Sequence, residues 1–402
     1  MKPLHQLLKS GRAVACGLAL AAVGTMGFAP ASHAAGSYDI NVLLPLSGGA
    51  AFVGEGQKDA LSALEEEVNK TGGIRGEKLH FIFHDEQTSP QVAVQLTTQL
   101  LGGKPAVIMG SSLVGECLAM APLMAKGPVQ YCLSPAIHPK PGTWTFSTSA
   151  SSVDQIAAVL RYYRFKGWTK IATLMTTDAS GQDGDRSVDA IMQRPEFKGM
   201  TKVISEHFNP TDVSVAAQVA RIKQSGAQAM VAWVTGAPAA TVFKGMIQVG
   251  LDIPVAPTSG NQTFAAMKQW ASFLPKQLIL ASALYPPHPR SVKLDPRMDK
   301  AQQAMNAVLA EHHLKADNMA ATSWDAGLIV VAGLRKLGPK ATAAQLKDFV
   351  DNLTNFAGVD GIYDFKKYPQ RGLGPESSTV TTYDPKTNSW VWLSQQGGAP
   401  LK

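Results

Sequence analysis

Short apolar runs and amphipathic stretches alternate along this chain. Asn41 to Leu46 (NVLLPL) fits a buried strand, Ser47-Gly48-Gly49 interrupts it, and Ala60, Leu61, Ala63, Leu64 and Val68 then recur at helical spacing. Leu79 to Glu86 (LHFIFHDE) alternates apolar and polar positions, Gln91 to Leu101 is helical in period, and Pro105 to Ser112 reads as another buried strand. A helix over 115–126, a strand over 129–135, a helix over 153–165 and a strand over 170–175 continue the rhythm. A helix starting near Arg186, a strand over 229–235, a helix ending at Gly250 and a strand over 253–259 follow, then helices over 299–312 and 323–337. Strands alternating with helices predict an α/β protein with open, doubly wound parallel sheets. The tail differs: STVTTYD and SWVWLSQ, separated by Pro385-Lys386-Thr387-Asn388, predict a closing antiparallel pair.

Length adds a division to this pattern. The first residues place Lys2, Lys9 and Arg12 before an apolar Ala/Gly-rich stretch, and Ser32-His33-Ala34 supplies small residues for cleavage. Residues 1–34 are therefore expected to be a cleaved secretory signal. The remaining 368 residues exceed what one core usually holds, so two lobes are expected. Two segments suit crossings between lobes: the small polar run 145–152 and the proline-rich Leu284 to Pro289 (LYPPHP). The expected division assigns 35–149 and 287–360 to one lobe, and 150–286 and 361–402 to the other.

Charge and cysteine content narrow the function. The whole chain carries +7; without residues 1–34 it keeps 34 Lys+Arg against 30 Asp+Glu, or +4, with no basic cluster interleaved with aromatics. No nucleic-acid partner is expected. Cys117 and Cys132 are the two cysteines left after cleavage, one expected early in a helix and one late in the next strand. Either a disulfide or two buried thiols fits, the bridge requiring Cα atoms within about 7 Å.

The turn after the first strand raises the question of nucleotide binding. Gly54-Glu55-Gly56 lies too far along for a dinucleotide fingerprint and puts a carboxylate where pyrophosphate would sit; Gly56-Gln57-Lys58 lacks the phosphate-loop spacing. Ser134 in Leu-Ser-Pro-Ala is not in a nucleophile elbow, and no histidine pair has zinc spacing. No enzyme, cofactor or metal site is expected. Small polar groups instead follow the strands at Ser47-Gly48, Ser111-Ser112, Ser134-Pro135 and Thr258-Ser259-Gly260. In open α/β sheets this is where ligands bind, although N-caps and turns use the same residues.

The run VLLPLSGGAA…GEGQKDALSALEEEVNKTGGIRGEKLHFIFHDEQTSPQVAVQ resembles the amino-terminal lobe of the branched-chain-amino-acid (Leu/Ile/Val-binding) type of periplasmic binding protein. VIMGSS, PVQYCLSPA, KGWTKIATLMTTDASGQDGD, QVARIKQSGAQAMVAW and FKGMIQVGL continue the likeness in order across the mature chain. The resemblance implies a type I solute-binding protein of an ABC importer: two α/β lobes, a three-stranded hinge, and one ligand in the cleft between them. It also implies a periplasmic location, an inner-membrane permease with its ATPase as partner, and capture by lobe closure.

Pocket positions carried over from the family depart from its pattern. The family's carboxylate-binding serine aligns near Val114, its threonine is His138, its tyrosine is Ser180, and its ammonium-binding acid falls at Ser259. The aromatic of the first loop is shifted to Phe52. A buried ammonium without an anion is costly, so the expected ligand is an organic acid with an apolar or aromatic body rather than a branched-chain amino acid. Ser47, Ser111, Ser112, Ser134 and His138 are candidates for its carboxylate. Phe52, Trp233 and Tyr285 are candidates for its body, with Ser180 and Ser259 completing the site. His138 also reads as a loop histidine before Pro139, and Trp233 also as core. A true branched-chain amino acid binder, and a sensor module of the same fold, are the alternatives.

Overall fold

The computed structural model describes residues 36–401; the expected signal segment lies outside them. In the first half, β1 (Ser37–Leu44), α1 (Ala51–Lys70), β2 (Lys78–Asp85), α2 (Pro90–Leu101), β3 (Val107–Gly110), α3 (Val114–Met120), β4 (Val129–Cys132) and β5 (Thr145–Ser147) form one unit. Its five strands are all parallel in the order β2-β1-β3-β4-β5. Parallel strands are buried on both faces, and β1 illustrates it. Ile40, Val42 and Leu44 join Leu61, Leu64 and Phe81 in one cluster, while Leu43 turns the other way to Ala93, Ile108 and Met120.

A second run comprises α4 (Ser152–Phe165), β6 (Lys170–Thr176), α5 (Ala179–Met192), β7 (Thr201–Phe208), α6 (Ala216–Gln224), β8 (Ala229–Val231), α7 (Ala237–Val249), β9 (Val255–Ala256) and α8 (Phe264–Gln269). Its strands are parallel in the order β7-β6-β8-β9. β10 (Leu280–Ser282) begins a separate antiparallel sheet. The chain then returns to the first sheet with α9 (Pro296–Glu311), α10 (Asn318–Leu337) and α11 (Ala343–Asp351); α9 and α10 pack on α1, and α11 packs on β4. A short hairpin, β11 (Phe356–Ala357) and β12 (Ile362–Tyr363), precedes β13 (Thr379–Asp384) and β14 (Ser389–Trp392), which complete the antiparallel sheet β10-β13-β14 beside α4. The antiparallel closing pair expected from the tail is present.

Three stretches of chain thus pass between the two parallel sheets, and they are stitched together. Tyr363 donates its hydroxyl to Thr148 O at 3.0 Å and Thr148 donates to Thr322 O at 3.1 Å. Arg371, buried between them, donates to the backbone oxygens of Ser149, Pro135 and Ile137 and to Ser147 Oγ. Burial pushes its guanidinium down to about 10.

Several elements differ from the periodicity. α1 starts at Ala51 and contains Gly54 and Gly56, which read as a loop. A Cβ at Gly54 would lie 2.3 Å from Pro45 O, so this glycine lets the helix press against the chain leaving β1. α5 starts at Ala179 and α10 at Asn318, each earlier than expected, because Asp178 and Asp317 cap them. β7 and α6, both half-exposed at the edge of their sheet, and the short β10 and α11 have no counterpart in the expected elements.

Candidate functional site

A cavity of about 580 Å³ lies where the carboxyl ends of both parallel sheets meet. In the first sheet the strand order reverses between β1 and β3, and Gly49, Ala50 and the 112–116 turn reach the cavity there. In the second it reverses between β6 and β8, whose ends contribute Thr176, Asp178, Ala179, Trp233 and Thr235. Such switch points are where open α/β sheets leave room for a ligand. The turn after β4 (Leu133 to Ala136), the turn after β9 (Thr258 to Gly260) and the start of α10 (Asn318, Met319, Thr322) complete the walls.

The first wall is strongly cross-linked. Asp85 accepts from Leu46 N, Ser47 N and Gln87 N at 3.0, 3.1 and 2.8 Å, and Ser47 Oγ donates to it at 2.6 Å. Partial burial pushes the Asp85 carboxyl up, but the Ser47 hydroxyl and these N–H donors outweigh it and hold it below its usual range. Thr88 donates to Ser47 O at 2.9 Å and accepts from Ala50 N at 3.3 Å, fixing the turn into α1. Ser111 donates to the buried Glu86 and accepts from Leu113 N at 3.0 Å; Ser112 donates to Gln57. Burial pushes the Glu86 carboxyl up to about 8 against the Ser111 hydrogen bond, with Glu116 and Asp85 adding to the rise. Cys117 and Cys132 form a disulfide with Cα atoms 6.0 Å apart, tying α3 to the end of β4.

The second wall rests on capping and close packing. Asp178 Oδ1 accepts from Ser180 N and Gly181 N at 3.1 Å each and from Thr176 Oγ1 at 2.7 Å. Trp233, 1% exposed, lies against Gly184, where a Cβ would come within 2.8 Å of the tryptophan. Thr235 and Thr258 share a hydroxyl hydrogen bond of 2.6 Å.

Of the residues expected in the site, Ser112, Ser134, Ser180, Trp233 and Ser259 line the cavity, as does Val114. Five others lie outside its lining, each for a visible reason. Ser47 is committed to Asp85, and Ser111 is fully buried behind the wall on Glu86. Phe52 packs edge-on against Trp270 at 5.7 Å. His138 turns across to Asp183, with Nε2 2.8 Å from Oδ1, and to Ser152 at 3.3 Å. Tyr285 is buried beside a separate groove of about 640 Å³ with Trp390 and Trp392.

Sequence reasoning did not single out Thr88, Glu116, Asp178, Thr235, Asn318 and Met319, which also line the cavity. Asp178 and Thr235 follow strands by two to four residues, the offset that marked the serines. Among the described residues that line it there is no Lys, Arg or His, and the ionisable side chains are Glu116 and Asp178. Of the helices that start here, α5 and α10 spend their first N–H groups on Asp178 and Asp317, and α7 has Ala237 N on Gly49 O at 3.1 Å and then Pro238. α3 starts without a side-chain cap, with Val114 and Gly115 on the cavity.

Comparison with known proteins places this geometry. A family model described as periplasmic binding protein matches residues 37–385. The Leu/Ile/Val-binding protein BraC3 of Rhizobium johnstonii is 26% identical over 204 residues, 50% of this chain and 55% of that protein. The chain thus spans about half the length of the curated relatives it matches. An extracellular ligand-binding receptor from Rhodopseudomonas palustris has a similar structure, with a TM-score of 0.77 at 18% identity, covering 89% of this chain and 99% of that one. A fatty acid ABC transporter substrate-binding protein from Thermomonospora curvata gives a TM-score of 0.75 at 17% identity, covering 90% and 92%.

Proposed function

Because the chain belongs to the periplasmic binding protein family, we propose that it is the extracytoplasmic solute-capturing component of an ABC importer. The observation that carries this reading is the cavity shared by both switch points, with walls from two sheets joined by three strands of chain. A solute touching both walls favours the closed arrangement by the difference in its affinity for the closed and open forms. The closed form then docks on a membrane permease that works with an ATPase. Among the described residues no helix is long and apolar enough to cross a membrane, in keeping with a partner that supplies the passage. His138 and Asp183 pair between the β4–β5 connection and α5, and Arg371 holds the crossing at Ser149, so closure bends around a stitched hinge.

The captured solute in this reading is a small organic molecule with a carboxylate. The carboxylate meets Val114 N and Gly115 N of the uncapped α3 start with the Ser134 hydroxyl, and Trp233, Leu113 and Met319 flank an apolar or aromatic body. Relatives named for leucine, isoleucine and valine and for fatty acid share this combination of carboxylate and apolar body. The test is a thermal-shift screen of the mature chain against aliphatic, aromatic and fatty acids, amino acids and neutral amides. A solute at 100 times its dissociation constant adds about 2.7 kcal/mol of stability. A clear rise in melting temperature with one chemical class is the expected result; no shift with any class contradicts solute capture.

A further inference from the structure

Glu116 is anomalous among the buried acids of this protein. It sits in the first turn of α3, is 4% exposed and lines the cavity, yet among the described residues no other side chain or backbone group hydrogen-bonds its carboxyl; its own N–H approaches it. The other buried acids have a partner on at least one oxygen or are sealed from the cavity. Glu86 has Ser111 on one oxygen and Asp183 has His138 on one, each with its second oxygen buried and unpaired behind the wall; Asp317 caps α10, and Asp325 accepts from Val359 N, Asp360 N and Tyr363 Oη at 2.9, 3.0 and 2.9 Å. Asp360 has no partner, but its oxygens are closed off from any cavity. A buried carboxyl without a partner is costly, and at a cavity wall that cost is relieved by whatever fills the space.

Across from it stands a second acid. Asp178, at the end of β6, uses Oδ1 to cap α5 and is near enough for its charge to act on Glu116. Burial pushes the Glu116 carboxyl up, its own N–H pulls it down, and Asp178 raises it again. Among the described residues no basic side chain lines the cavity to neutralise the pair. Among the described residues no three His, Cys, Asp or Glu side chains come together to hold a metal ion.

We propose that Glu116, faced by Asp178 from the opposite wall, is a specificity-determining residue that selects solutes bearing a protonated amine over plain organic anions. This rests on the reading of the cavity as a solute site. The amine lies between two carboxyls carried by different sheets, so the same contact that recognises it also draws the walls together. An anion without an amine adds a third negative group to a lining that already holds two and has no base.

The probes are two sets that share one body and differ only in the head: leucine, 4-methylpentanoate and isopentylamine, and phenylalanine, 3-phenylpropionate and phenethylamine. Each is titrated calorimetrically into the mature chain and into its Glu116→Gln variant, whose unligated melting temperature reports that the fold is kept. The amine-bearing members are expected to bind at least tenfold tighter than the matched acids. Glu116→Gln should cost them tenfold or more while leaving the acids unchanged or binding tighter, because one of the two negative groups that repel them is gone. Equal or tighter binding of the matched acids overturns the inference, as does a variant that weakens both classes alike. If 3-phenylpropionate or the fatty acids of the screen bind and the amines do not, solute capture stands and amine selection fails. If nothing in either panel binds, both fall.

Discussion

The wall of the cavity built on the first sheet is held by a disulfide and a buried polar network, whereas the wall on the second sheet is held by helix capping and close packing. Both use the same strand–turn–helix plan at a switch point. On the first side, the 112–116 turn is bounded by Ser111–Glu86, Ser112–Gln57 and the Cys117–Cys132 bond. On the second, Asp178 caps α5, Gly184 admits Trp233, and Thr235 meets Thr258. The difference teaches which half presents fixed groups to a solute and which half is free to adjust around it. A preorganised wall loses less conformational freedom when a ligand arrives.

The largest effect that would sharpen the contrast concerns Glu86, in the first wall. Unfolded, its carboxyl ionises near 4.5; folded, it keeps its proton up to about 8. The folded form therefore holds a proton that the unfolded form has lost between those values. The stability this contributes is complete below 4.5 and disappears as the pH rises to about 8. Glu86→Gln keeps the acceptor for Ser111 and removes the titration. At pH 9 the variant should be more stable than the wild type by on the order of 4 kcal/mol, and near pH 4 the two should match. Urea unfolding across that range measures it, and parallel pH profiles would break the account of a proton held in this wall.

Second in size is the covalent tie. The two cysteines are separated by 15 residues, and closing a loop of that length stabilises by about 3 kcal/mol. Cys117→Ser with Cys132→Ser should lower unfolding stability by about that amount and weaken solute binding, since the Ser112 and Ser134 turns lose their common anchor. Loss of stability without loss of affinity would show that the first wall does not depend on the bond for its shape.

Most strands of the two parallel sheets were legible in the chain because buried strands and amphipathic helices differ in period, and four strand ends carried small polar residues. β7 escaped because it is an edge strand whose Thr201, Ser205 and His207 are exposed and whose Lys202 and Glu206 break up its apolar positions, leaving no apolar run to read. α1 began earlier than expected because glycine reads as a breaker; here Gly54 marks close packing on Pro45. In the site, Ser112, Ser134, Ser180, Trp233 and Ser259 reach the cavity, where strand ends converge by topology. Ser47, Phe52, Ser111, His138 and Tyr285 were diverted by tertiary neighbours, four of them Asp85, Trp270, Glu86 and Asp183, that no local pattern announces. Glu116 was invisible for the opposite reason. An acid in a first helical turn is ordinary, and only the fold reveals that this one faces a cavity instead of water.

The most direct test of the central claim is a calorimetric titration of the best solute from the screen into the wild type and into Thr235→Trp. That substitution fills the space between the walls from the second-sheet side. One site per chain in the wild type, and binding abolished in a variant that still melts cooperatively, is the predicted result. Undiminished binding to Thr235→Trp would place the solute elsewhere, with the Trp390–Trp392 groove the next site to examine, and would contradict capture between the two sheets.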